Sequence, residues 1–158
     1  MNNLFYNIFF LLILVNPIFS NDLDYPVIAN YSISVTASSS ADYTLSGTDL
    51  NGTVSGNDPD LTFNVGDQIT FSVNASGHPF YLKTVAGTGT GNQIDVSNNG
   101  TTSGDIVWTP SAKGTFYYQC SLHSGMVGTI TIKDPQIWKG DNITFTKGDQ
   151  SDPLFKWI

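Results

Sequence analysis

The stretch Gly114-TFYYQCSLHSG-Met126 decides most of what this chain can be. Its first half alternates. Phe116, Tyr118 and Cys120 fall on one face of an extended strand, and Thr115, Tyr117 and Gln119 on the other. Its second half is a loop with the pattern Cys-x-x-His-x-x-Met, made by Cys120, His123 and Met126, and Gly125 lets that loop fold back. The aromatic face is expected to point inward, so the Cys120 thiol should too. These three residues are the sole Cys, one of 2 His and the sole internal Met of the chain. The other His, His78, sits upstream in Ser-Gly-His-Pro-Phe, just after the alternating run of residues 68–74.

A thiolate, two imidazoles and a thioether form a soft donor set. Three of them in a trigonal His₂Cys arrangement with a weak axial Met suit copper in electron transfer. Calcium and magnesium prefer oxygen ligands and would not select this set. Zinc or mercury could occupy the same donors. A dinuclear copper centre needs a second Cys in the loop, which is missing. Singly, Cys120 and Met126 would read as core residues and His78 as a loop histidine.

Outward from this stretch the chain continues to read as strands. Residues 127–133 alternate after the loop. Before it, strands are expected at 31–37, 61–65, 69–73, 79–84 and 105–109, with a short segment at 43–45. Gly66-Asp67 marks a turn or bulge. Residues 38–60 and 86–104 are rich in Ser, Gly, Asn and Thr and read mostly as loops. Trp108 is a candidate core anchor. No stretch has helical periodicity, so the expected fold is all-β, a sandwich or barrel of about seven to eight strands.

Composition agrees. The 158 residues suit one domain with additions. All 13 acidic residues are Asp and all 6 basic ones are Lys, giving a net charge of −7. With neither Glu nor Arg, the chain lacks two strong helix formers. The acidity argues against nucleic-acid binding. One Cys excludes disulfide scaffolds and zinc fingers. No Ser/His/Asp triad is credible, because both His belong to the metal set, and no glycine-rich string lies between a strand and a helix.

The N-terminal residues 4–15 are apolar except for Asn7, and Asn16-Pro17 breaks the run. This reads as a signal peptide over 1–20, although it carries no Lys or Arg. Export is therefore expected, with membrane contact only through this segment if it stays uncleaved. A lone Cys in an oxidising compartment is buried, paired with another chain or ligated. Residues 21–30 read as a linker and 31–133 as the metal-binding domain. Residues 134–158 read as a tail, or as the start of a further domain. Sequons stand at Asn30, Asn51, Asn74, Asn99 and Asn142. The dispersed Asp residues read as solvated or turn positions. Asp58 and Asp60, with Asp22 and Asp24, are candidates for a docking patch or a weak calcium site.

The string Gly-x-Phe-x-Tyr-x-Cys-x-x-His-x-x-Met resembles the C-terminal copper loop of the cupredoxins of the plastocyanin, pseudoazurin and amicyanin group. The two-residue gap between His123 and Met126 is similar to the short, amicyanin-like form. Residues 63–78 resemble the strand and turn that supply the first His. The resemblance covers residues 31–133. It implies a Greek-key β-sandwich with one mononuclear type 1 copper, held by His78, Cys120 and His123 with Met126 axial. It also implies an electron port at His123, ringed by Leu122, Val127, Pro79 and Phe80. Two features depart from the family: Pro79 stands where most members carry Asn, and the loop at 86–104 is unlike that of the electron carriers. The function implied is single-electron transfer to a redox protein, expected to be basic, with no substrate and no enzymatic step. The alternative is a cupredoxin-like structural or binding module of a larger secreted, surface or virion protein, with copper structural or absent.

Overall fold

The computed structural model describes residues 25–138. The expected signal peptide and most of the expected tail lie outside them, as do Asp22, Asp24 and the sequon at Asn142.

The described chain forms eleven strands: β1 (Tyr25–Val27), β2 (Asn30–Thr36), β3 (Thr44–Asp49), β4 (Gly52–Asn57), β5 (Leu61–Asn64), β6 (Gln68–Asn74), β7 (Phe80–Lys83), β8 (Ser103–Trp108), β9 (Gly114–Cys120), β10 (Val127–Lys133) and β11 (Gln136–Trp138). Nine of them build two sheets, with strand orders β4-β3-β2-β6-β8 and β5-β10-β9-β7. Both sheets are mixed: β2 runs parallel to β6, and β10 parallel to β5. The all-β sandwich is therefore present, with nine sheet strands where seven or eight were expected.

Alternation puts one face of each sheet inside. Ile33, Val35, Leu45, Ile69, Phe71 and Val73 come from the larger sheet. They share one buried cluster with Leu61, Phe63, Phe80, Leu82, Tyr118, Cys120, Ile130 and Ile132 of the smaller one. Aromatic pairs bridge the layers, Tyr31 against Phe63 at 5.0 Å and Phe71 against Phe80 at 5.5 Å between ring centroids. Trp108 anchors the core as expected, edge-on to Phe116 at 5.2 Å.

Three differences from the sequence reading have physical causes. The Ser/Gly/Asn-rich residues 38–60 hold the β3–β4 hairpin. An outer hairpin needs few inward side chains, and Leu45 and Val54 supply them. Two Asp residues are not solvated. Asp67 is fully buried and accepts the backbone N–H groups of Asn64 (2.7 Å) and Ala29 (2.9 Å), which turns the chain from β5 into the other sheet. Asp49 accepts those of Asn51 and Thr62, each at 2.8 Å, closing the hairpin turn. Finally, β1 lies in the stretch read as linker and pairs antiparallel with β11 in the stretch read as tail, forming a separate two-stranded ribbon.

Candidate metal centre

His78 follows a tight turn. Its N–H donates to the Ala75 carbonyl at 2.9 Å, and Gly77 between them has φ +79°, a left-handed conformation suited to glycine. Cys120 is the last residue of β9 and is fully buried. The loop to β10 is closed by backbone bonds from Cys120 N–H to the Met126 carbonyl (3.0 Å) and from Met126 N–H to the His123 carbonyl (3.4 Å). These bonds hold His123 over Cys120.

The result is a cluster of three donors. The Nδ1 atoms of His78 and His123 lie 3.2 Å apart, and His123 Nδ1 is 3.5 Å from Cys120 Sγ. All three ligand atoms lie within 4.8 Å of one another. A metal bonded at roughly 2.0–2.1 Å to two imidazole nitrogens and 2.3 Å to a thiolate, in near-tetrahedral arrangement, needs donor separations of roughly 3.3–3.6 Å. The two separations at His123, 3.2 and 3.5 Å, lie close to that range, and the donors are the borderline and soft ones copper selects. The cluster fits a single type 1 copper site. The Leu122 N–H also points to Cys120 Sγ, at 3.5 Å, and would stabilise negative charge on it.

Met126 is fully buried in the same apolar cluster as Cys120. Around the cluster, His78, Pro79, His123 and Val127 are partly exposed and Leu122 is 63% exposed. Phe80 differs from expectation. It is fully buried and stacked on Tyr118 at 5.4 Å, because it pairs across from Cys120 and shares its inward face. It is part of the core and not of the exposed rim.

Three loops lock together here. The Ser121 N–H donates to the Pro79 carbonyl (3.3 Å), and the Gly89 N–H donates to the Ser121 carbonyl (2.8 Å). Lys83, only 1% exposed, fixes the third loop through its ammonium, which donates to the carbonyls of Gly87 and Gly89. Burial lowers its pKa from the usual lysine value.

The sequence reading missed two buried polar residues. Gln119, placed on the face opposite Cys120, is 2% exposed; its Nε2 donates to the carbonyls of His123 (3.0 Å) and Met126 (3.1 Å). Tyr43 is fully buried, and its hydroxyl lies 3.0 Å from both the His78 and Pro79 carbonyls. Rarity marked the ligands, but nothing in composition marks these two. Asp58 and Asp60 serve the frame instead: Asp58 accepts the Tyr43 N–H and Asp60 the Thr129 N–H, each at 3.0 Å. Asn99 spends its side chain on Leu82 and Ile94 backbone groups, which leaves its amide nitrogen no free hydrogen for a glycan.

Fold and site together define a two-sheet β-sandwich with a His₂Cys cluster at one pole. No protein-family model and no curated protein matches the sequence. Solved structures of cupredoxins are similar in fold. The copper protein rusticyanin is 19% identical over 67% of this chain and 78% of its own, with a TM-score of 0.44. A purple cupredoxin from Nitrosopumilus maritimus is 21% identical over 65% and 98%, with a TM-score of 0.40. A Sinorhizobium pseudoazurin is 22% identical over 69% and 76%, with a TM-score of 0.41.

Proposed function

We propose that this protein is a type 1 copper protein that carries single electrons between redox partners, and not an enzyme. The observation that carries the reading is the convergence of His78 Nδ1, His123 Nδ1 and Cys120 Sγ at metal-binding spacing. Copper, when bound, supplies a one-electron couple between Cu(I) and Cu(II). The chain does the rest. His78, Cys120 and His123 would be its main ligands, and Met126 would be a weak fourth. The interlocked loops resist rearrangement, which suits two oxidation states in one geometry. His123 is the electron port, and Leu122, Val127 and Pro79 around it form an apolar rim that excludes water when a partner docks. The net charge of −7 favours a basic partner, with an attraction that fades as salt rises. The apolar N-terminal run supports an extracytoplasmic location, and a lone, buried Cys is compatible with one.

The test is the visible spectrum on adding Cu(II). An intense thiolate-to-copper band is expected, lost in Cys120→Ser and kept in Met126→Leu with a shifted reduction potential. Folded protein without the band would sink the type 1 reading. Loss of copper in Met126→Leu would remove Met126 from the axial role. A bound copper that does not cycle reversibly would favour the structural module.

A further inference from the structure

His78 is followed by proline, so residue 79 offers neither a backbone N–H nor a polar side chain to tie the first ligand loop to the second. Outer hydrogen bonds normally orient metal ligands and tune the metal. The structure fills the gap from beneath. Tyr43, just before β3 in the other sheet, is fully buried, and its hydroxyl reaches the His78 and Pro79 carbonyls at 3.0 Å each. The Pro79 carbonyl also accepts the N–H of Ser121, the residue after Cys120, so both ligand loops meet at that one oxygen.

The ring of Tyr43 is held just as firmly. It lies edge-on to Phe80 at 5.1 Å and to Tyr118 at 6.3 Å. Phe80 is the cross-strand partner of Cys120, and Tyr118 is its neighbour on the same face of β9. The Tyr43 backbone is pinned on both sides, by Asp58 Oδ1 on its N–H and the Asp58 N–H on its carbonyl.

We propose that Tyr43 is a positioning residue of the metal centre: its hydroxyl braces the His78–Pro79 turn from inside the core and sets that turn against Cys120. Burial, the largest cause, pushes the phenol far above its usual pKa, so the hydroxyl stays a donor. Its single proton is shared between the two carbonyls. That bond fixes where the His78 loop stands against the Cys120 loop, and hydrogen bonds outside the ligand set orient ligands and tune the metal. This assignment rests on the copper reading for its redox consequence, but not for the brace itself.

Two measurements separate these. In metal-free protein, Tyr43→Phe keeps the ring and removes the hydroxyl. Amide hydrogen exchange at His78 and Phe80 is expected to rise about tenfold or more, with the Ile33 and Phe71 amides unchanged. In copper-loaded protein, Tyr43→Phe is expected to shift the reduction potential and the charge-transfer band. Placing 3-fluorotyrosine at position 43, a stronger donor of nearly equal size, should move the potential the opposite way. A merely structural role would not produce opposite shifts. Unchanged exchange at His78 and Phe80 overturns the brace. A potential that ignores the fluorine overturns the tuning, and this arm still decides if Tyr43→Phe does not fold. Wild-type protein that binds no copper overturns the proposed function instead, and the exchange measurement still decides the brace.

Discussion

Gly128 of β10 lies directly across from Tyr118 of β9, and a Cβ at Gly128 would overlap the Tyr118 ring. The missing side chain is the seat of the ring. Tyr118 fills that space, stacks on Phe80 and donates its hydroxyl to the Pro59 carbonyl at 2.8 Å. Gly128→Ala should therefore push Tyr118 toward Phe80 and Tyr43, beneath the metal loops. A loss of about 1–3 kcal/mol is expected, the usual cost of overpacking. Urea unfolding of metal-free protein measures it. A stability within error of wild type would show that the ring has somewhere else to go.

Gln119 holds the Cys120–Met126 loop through two carbonyls while itself buried. Gln119→Leu keeps the bulk and deletes the donor. Each carbonyl loses one donor and keeps its backbone one, so the cost is the net worth of two hydrogen bonds, about 1–3 kcal/mol together. The loop should loosen, so metal release to a chelator should speed up while the band position changes little. Equal release rates for the two proteins would contradict the brace.

Asp58 is expected to impose a pH dependence. Burial raises its carboxyl from the ordinary 3.8 to about 6, with nearby Asp42 adding to the rise and the backbone bond from Tyr43 opposing it. The folded state thus binds this proton more tightly than the unfolded one. The contribution is fully present below about 3.8 and is lost as pH rises to about 6. Asp58→Asn removes it. The stability difference, variant minus wild type, should become more favourable to the variant as pH rises from 4 to 6.5, then level off. A difference that stays flat in urea titrations across that range would mean that Asp58 titrates as it does when unfolded.

The strands nearest the site were legible because they alternate without interruption. β6 and β10 bury every second residue over seven positions, β9 alternates in residue type although its last three residues are all buried, and the ends of all three coincide with Gly, Pro or turn residues. The β3–β4 hairpin was illegible because its inward positions are few and its outward ones are Ser, Thr and Gly, which are equally at home in loops. The β1–β11 pair is three residues on each side and was too short for periodicity to register. At the site, rarity singled out the donors, since the chain has few residues that could bind a soft metal. Phe80 was misplaced because Pro79 interrupts the phase, and only the register with Cys120 shows which way it points. Tyr43 and Gln119 were invisible for a related reason. A buried polar side chain is justified by its partners, and those partners lie up to 36 residues away.

The ribbon of β1 and β11 has a mechanical consequence. β2 begins, and β10 ends, at the pole away from the His78 and Met126 loops; seven residues of strand, roughly 20 Å, separate the two poles. Pairing Tyr25–Val27 with Gln136–Trp138 makes the chain enter and leave the sandwich side by side at that far pole. Anything joined to both strands holds the domain as a bead on a two-stranded stem. Pulling on the stem loads β1 against β11 first and spares the core sheets. The face carrying His123 and Leu122 lies at the opposite pole from that stem.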